Sequence, residues 1–143
     1  MVLVNATKKT VVANRCHFAN SVLKRMTGLL GRSSLGAGEG LLIDRCYGIH
    51  TFGMRFAIDV LFLDKDLHVM RAINGIVPYR SCAVRKAVYV LELPVGAIQN
   101  SRTEAGDQIQ IRTAAADATK IPVTLQTDAH APAAVAPLTA PPR

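Results

Sequence analysis

The chain has 143 residues and a formal net charge of +7, and 50% of its residues are hydrophobic. These values fit one globular domain and exclude a collagen-like or wholly disordered chain. No apolar run approaches the roughly 18 residues of a membrane-spanning helix, and no basic region precedes an apolar stretch at the start, so we expect neither a membrane span nor a secretory signal. The three cysteines are scattered without a Cys-x-x-Cys pair. This pattern predicts reduced thiols and a cytoplasmic protein.

In the first third of the chain, the pattern predicts short strands around one helix. Apolar triplets at 2–4 and 10–12 flank a turn at Lys8-Lys9 and indicate a hairpin. A helix of about 21–31 follows, because Asn20-Ser21 can cap it and apolar side chains then recur at helical spacing until Gly31. A glycine-rich loop and a short buried strand at 41–43 come next.

Farther along, the strands become longer. An apolar run at 58–63, broken only by Asp59, and an alternating run at 67–73 flank Asp64-Lys65-Asp66, which predicts a second hairpin. Strands at 87–93 and 108–112 enclose one helical turn near 97–101. The expected fold is α+β and β-rich: a small curled sheet or barrel of six to seven mostly antiparallel strands with one short helix.

Composition changes near residue 113, where the predicted domain of residues 1–112 ends. Residues 113–126 could add an edge strand, since Pro122 precedes an apolar triplet at 123–125. Residues 127–143 are rich in alanine and proline and have few large apolar groups, so we expect a disordered tail.

The excess positive charge lies entirely in residues 1–112, which contain fifteen Lys/Arg against eight Asp/Glu. In the linear sequence these cations are scattered, and most aromatic residues sit in apolar runs. The pattern favours solubilising charge over nucleic-acid binding, which usually shows a contiguous basic patch with exposed aromatics.

Several motifs together resemble a known family. The blocks, in chain order, are Arg25-Met26-Thr27-Gly28-Leu29-Leu30-Gly31-Arg32, Gly40-Leu41-Leu42, His50-Thr51-Phe52-Gly53-Met54-Arg55-Phe56-Ala57-Ile58-Asp59-Val60-Leu61-Phe62-Leu63-Asp64, Tyr89-Val90-Leu91-Glu92-Leu93-Pro94-Val95-Gly96 and Gly106-Asp107. They resemble domain of unknown function family 192. The resemblance implies one small β-rich domain with a short helix and no established activity. Ala57, where members usually have proline, and Arg102, near a common glycine, depart from the pattern.

A loop rich in polar and soft side chains is the main candidate for a binding site. We interpret the chain as a non-catalytic binding or accessory module that holds a small polar ligand or a protein segment. The expected site residues are His50, Thr51, Met54, Arg55 and Asp59.

Two carboxylates interrupt apolar strands. Asp59 should be partly buried, and a structural ion pair with Arg25, Arg32 or Arg55 would offset its desolvation. Alternation places Glu92 on the solvent face, although it is also an ion-pair candidate.

Two other classes of function stay open. One is a small hydrolase or acid/base enzyme that uses His50 with Asp59. The other is an accessory module of a secretion or pilus assembly. A cysteine nucleophile at Cys46 lacks a visible orienting group. We expect neither a metal nor a cofactor, because the spacing of Cys46, His50 and Met54 matches no structural metal motif.

Removal of residues 127–143 should change the melting temperature by about two degrees at most, because a tail that buries little contributes little stability. Thermal unfolding of the full and shortened chains measures this. A loss of several degrees would mean that Val135 or Leu138 docks on the domain.

Overall fold

The computed structural model of the protein describes residues 1–19 and 29–113, in which ten strands and one helix occur. The predicted helix at 21–31 lies mostly outside these ranges, as do the predicted edge strand at 123–125 and the tail. The elements, in chain order, are β1 (Val2–Asn5), β2 (Thr10–Ala13), β3 (Arg15–Ala19), β4 (Glu39–Asp44), β5 (Gly48–His50), β6 (Ile58–Leu63), β7 (Val69–Ile76), β8 (Ser81–Ala83), β9 (Tyr89–Pro94), α1 (Ala97–Ser101) and β10 (Ile109–Arg112).

The strands form three open sheets. The largest has the order β3-β4-β9-β6-β7, in which β3 and β4 are parallel and the other pairs are antiparallel. A second sheet has the order β10-β1-β2, and β5 pairs with β8 in a two-stranded ribbon. The β-rich prediction and the helical turn at 97–101 are confirmed. The strands β3, β5 and β8 were not predicted as elements, because two of them have three residues each and all depend on distant partners.

Strand β6 lies between β9 and β7 and is buried along its whole length. Its odd-numbered leucines pack with Leu3, Ile98 and Ile109 on one face, where the small sheet and α1 cover it. Its even-numbered residues pack on the other face with Met54, and the ribbon contributes Ile49 and Cys82 there. A strand covered on both faces explains why five of its six residues are apolar, in contrast to the alternation expected of a half-exposed strand.

Asn5 connects the beginning of the domain to its end. Its buried amide nitrogen donates to Thr103 Oγ1 at 3.1 Å and to Asp107 Oδ2 at 2.8 Å, and its carbonyl oxygen accepts the Lys8 amide at 3.0 Å. These bonds hold the β1–β2 turn against the segment that leads into β10.

Within the part of the chain that is described, none of the helices has the length and apolar character that crossing a membrane requires.

Candidate functional site

Asp59 is fully buried in β6 and is bound by backbone amides. Its Oδ1 accepts the Gly75 amide at 2.9 Å, and its Oδ2 accepts the amides of Gly96 at 3.0 Å and Ile98 at 3.1 Å. Gly75 and Gly96 both have positive φ, a conformation that favours glycine. The carboxylate therefore links β6, the end of β7 and the start of α1, which is a structural arrangement.

The arginines expected beside Asp59 are placed differently. Arg32 pairs with Glu39 at 2.9 Å, and exposed Arg55 forms no ion pair among the described residues. Arg25 lies outside those residues. The amides provide Asp59 with three donors, so an arginine is not required to satisfy it.

Thr51 and Met54 of the predicted site are buried and serve the packing of their loop. The Thr51 hydroxyl donates to the Val77 carbonyl at 2.8 Å and accepts the Arg80 amide at 2.9 Å. Met54 lies in the core under β6. Both side chains hold the 51–54 turn in place and leave its neighbours exposed.

His50 ends β5 and lines an open groove of about 700 Å³ between residues 45–50 and Ser81–Ala83. Asp59 lines a different pocket of about 610 Å³, together with Lys8 and Arg102. The two pockets share no lining residue. The structure therefore does not assemble the acid/base pair that the sequence suggested.

A row of exposed rings borders the groove. The His50 and Phe52 ring centroids lie 5.8 Å apart, and the Phe52 and Tyr79 centroids lie 6.2 Å apart in an edge-on contact. Phe52 is 52% exposed, Tyr79 63% and Tyr47, which lines the groove, 66%. We call Tyr47, His50, Phe52 and Tyr79 the ring face. Tyr47, Phe52 and Tyr79 were not among the predicted site residues, and the only sequence signal was their position in loops rather than strands.

The chain segments that form this side of the protein are basic. Residues 45–58 and 70–91 contain no Asp or Glu but contain six cations, namely Arg45, Arg55, Arg71, Arg80, Arg85 and Lys86. Among the described residues, Arg45 is the one cation of the six that forms an ion pair. Its partner is Asp44, at 3.6 Å. The Arg80 guanidinium donates to the Tyr79 carbonyl at 3.2 Å, so this charge is held at the backbone of a ring-face residue.

Glu92 lies beneath the ribbon. It stands opposite Val60 on β6 and Leu41 on β4, and its Oε2 has no hydrogen-bond partner among the described residues. Burial raises the pKa of Glu92 to about 7. The alternation that predicted a solvent-facing Glu92 was wrong, because the ribbon covers this face of the sheet.

The two thiols of the groove are not arranged as nucleophiles. Burial, more than any other cause, raises the pKa of Cys82, and the nearby Glu92 charge raises it further while Arg71 opposes the change. Cys46 Sγ donates to the Gly48 carbonyl at 3.0 Å. A reactive cysteine needs a lowered pKa, so Cys82 lacks that activation.

Among the described residues, one cluster has side chains that could bind a metal ion. It consists of Asp64, Asp66 and His68. They belong to the β6–β7 turn, where Asp64 Oδ1 accepts the amides of Asp66 and His68 at 2.8 and 2.9 Å. These bonds stabilise the β6–β7 turn, so the role of Asp64 in the cluster is structural.

Comparison with known proteins identifies the family. The model of DUF192, described as "Uncharacterized ACR", matches residues 3–111. The chain belongs to this family. The resemblance predicted from the motifs is thus confirmed, and this DUF192 protein is also similar to a UPF0127 protein of Thermococcus sibiricus, with 31% identity over 112 residues, 75% of this chain and 72% of that protein.

Two solved structures resemble this DUF192 protein in fold. A protein of unknown function from Novosphingobium aromaticivorans has a TM-score of 0.68 and 24% identity, over 77% of this chain and 83% of that one. A candidate transcription regulator from Sinorhizobium meliloti has a TM-score of 0.67 and 22% identity, over 76% of this chain and 89% of that one. At these identities the likeness establishes the shared fold.

Asp59→Asn should destabilise the protein by about 3 kcal/mol or more, because it removes the charge from three buried hydrogen bonds and turns one acceptor into a donor. Urea unfolding followed by circular dichroism measures the loss. Asp66→Asn is the matched control, since Asp66 is exposed and its pair with Lys65 lies on the surface, where such pairs contribute little to stability. Equal stability of the two variants would contradict the anchoring role of Asp59.

Glu92→Gln should remove a pH dependence of stability. The pKa of Glu92 is about 7 in the folded state and 4.5 in the unfolded state. Between pH 4.5 and pH 7 the folded state therefore binds more protons, and the stability of the wild type falls as the pH rises through this range. At about pH 8 the variant should be more stable than wild type by up to roughly 3 kcal/mol, and near pH 4.5 the gap should nearly vanish.

Urea unfolding across this pH range provides the measurement for Glu92. Glu104→Gln is the control, because the side chain of Glu104 is 68% exposed. Parallel pH profiles for wild type and Glu92→Gln would show that the carboxyl is already satisfied in the folded state.

Proposed function

We propose that this DUF192 protein is a non-catalytic cytoplasmic binding module whose ligand-binding surface is the ring face and its adjoining groove. The ligand carries a flat ring and a negative charge. The observation that carries the proposal is the set of exposed rings at an open groove, together with neighbouring chain segments that contain six cations and no Asp or Glu. Exposed aromatic groups in a row are unusual for a surface without a partner.

Binding is favoured over catalysis by the placement of the titratable groups. His50 and Asp59 line separate pockets, Asp59 is occupied by three amides, and burial raises the pKa of Cys82. General acid/base or nucleophilic chemistry needs such groups within hydrogen-bond reach of one another.

A reducing compartment is supported by the cysteines. Among the described residues, Cys16 and Cys82 are thiols that take part in no disulfide. Persistent free thiols are typical of cytoplasmic proteins.

Phenyl phosphate, which combines a flat ring with a charged phosphate, is a suitable probe. In an NMR titration of the ¹⁵N-labelled protein, amide shifts should concentrate in residues 45–56 and 77–83, with a Kd of about a millimolar. Phe52→Ala should weaken this binding about threefold or more, because ring–ring contacts are lost. Phe18→Ala is the control, since Phe18 is 40% exposed on the separate strand β3.

Two results would overturn the binding proposal. One is an absence of shifts at the ring face, or shifts confined to the pocket of Lys8 and Arg102. The other is steady release of inorganic phosphate during the titration, lost in His50→Ala, which would support the acid/base alternative.

A further inference from the structure

The orientation of the rings on the ring face leaves room for flat partners. His50 and Phe52 are tilted by 43°, and Phe52 and Tyr79 meet edge-on at 76°, so neither pair stacks face to face. An edge-on contact covers at most one face of one ring. The exposed fractions of Phe52 and Tyr79 agree with open ring faces. A base or another planar group can therefore stack on more than one of these rings.

The cations next to the rings are available for a polyanion. Among the described residues Arg55, Arg71, Arg80, Arg85 and Lys86 form no ion pair, and Arg45 has one longer pair with Asp44. Arg80 follows Tyr79 directly, and Arg45 lines the groove with Tyr47. Two of the described acidic residues lie near the groove: Asp44 pairs with Arg45, and Glu92 is buried. The surface thus presents positive charge and rings side by side.

The combination of exposed rings and neighbouring cations favours one class of anionic partner over the others. An acidic peptide would use the arginines but would not need a row of rings. Duplex nucleic acid hides its base faces in the stack, whereas a single strand presents a base and a phosphate at each step. Rings that stack on bases beside cations that follow the backbone are the arrangement by which proteins bind single strands without reading their sequence.

We propose that the ring face binds single-stranded nucleic acid, with bases stacked on Phe52 and Tyr79 and phosphates bound by Arg45 and Arg80. This inference rests on the proposed binding function and names its ligand class. The cations looked scattered in the linear sequence, which argued against nucleic acid, but the fold joins the acid-free segments 45–58 and 70–91 through the pairing of residues 48–50 with 81–83. Three of the seven Phe and Tyr residues belong to the ring face.

Fluorescence anisotropy with an end-labelled oligomer of deoxythymidine tests the proposal on the full chain. At about 50 mM salt the oligomer should bind, and affinity should fall linearly with the logarithm of salt concentration. Phe52→Ala and Tyr79→Ala should each weaken binding about tenfold without changing the salt slope, because stacking carries no counterion release. Arg80→Gln should weaken binding and reduce the slope by about one.

Matched controls separate this site from general attraction to a basic protein. Phe18→Ala removes an exposed ring elsewhere, and Lys65→Gln removes an exposed cation in the β6–β7 turn. Both should bind as wild type does, and the annealed duplex should bind about tenfold more weakly than the single strand. Circular dichroism of each variant shows that it is folded.

The outcomes are distinct. Unchanged binding by Phe52→Ala and Tyr79→Ala, or duplex binding as tight as single-strand binding, would overturn the inference in favour of unspecific charge attraction. If phenyl phosphate shifts the ring-face amides but the oligomer does not bind, this inference fails while the proposed function stands. If neither probe binds, both fail.

Discussion

A single carboxylate inside the apolar core determines how the parts of this domain meet. Asp59 lies in the most buried strand, and its two oxygens accept three amides from the end of β7 and the start of α1. An unsatisfied charge there would be costly, so those two segments must approach β6 in one geometry. The positive φ of Gly75 and Gly96 turns the backbone where two of the three donors lie. Charge burial thus specifies the packing of segments far apart in sequence.

Around the end of β5 and the loop that follows it, some side chains are buried and hold the loop in place, while their neighbours are exposed. Thr51 and Met54 are buried and tie the loop to residues 77–80 and to the core, while His50 and Phe52 are exposed between and beside them. The exposed rings therefore stand on a base that packing keeps in place. A ligand that meets a preorganised surface loses less of its binding free energy to ordering side chains and loops. The same motif in the sequence thus encodes both the support and the surface.

The sequence predicted those strands in which the order of apolar and polar residues alone indicates which side chains are buried. The apolar run of β6, the alternation of β7 and the end of β9 at Pro94 agree with the structure. The parallel β3–β4 pair and the ribbon were missed, because their stability comes from distant partners. Burial of Asp59 was predicted from its apolar neighbours, but its amide donors lie 16 to 39 positions away. The ring face likewise combines residues 47–52 with Tyr79, so no single stretch of sequence contained it.

The bonds of Asn5 also bear on how the domain forms during synthesis. Asn5 and Asp107 lie 102 positions apart, and β1 pairs with β10 along its whole length. Domains whose contacts connect distant positions fold slowly, since long loops must close before those contacts form. During synthesis β1 emerges before β10, and β2 is its pairing partner in the meantime. The small sheet is complete only when β10 has paired with β1, and until then one edge of β1 is unpaired and open to pairing with another chain.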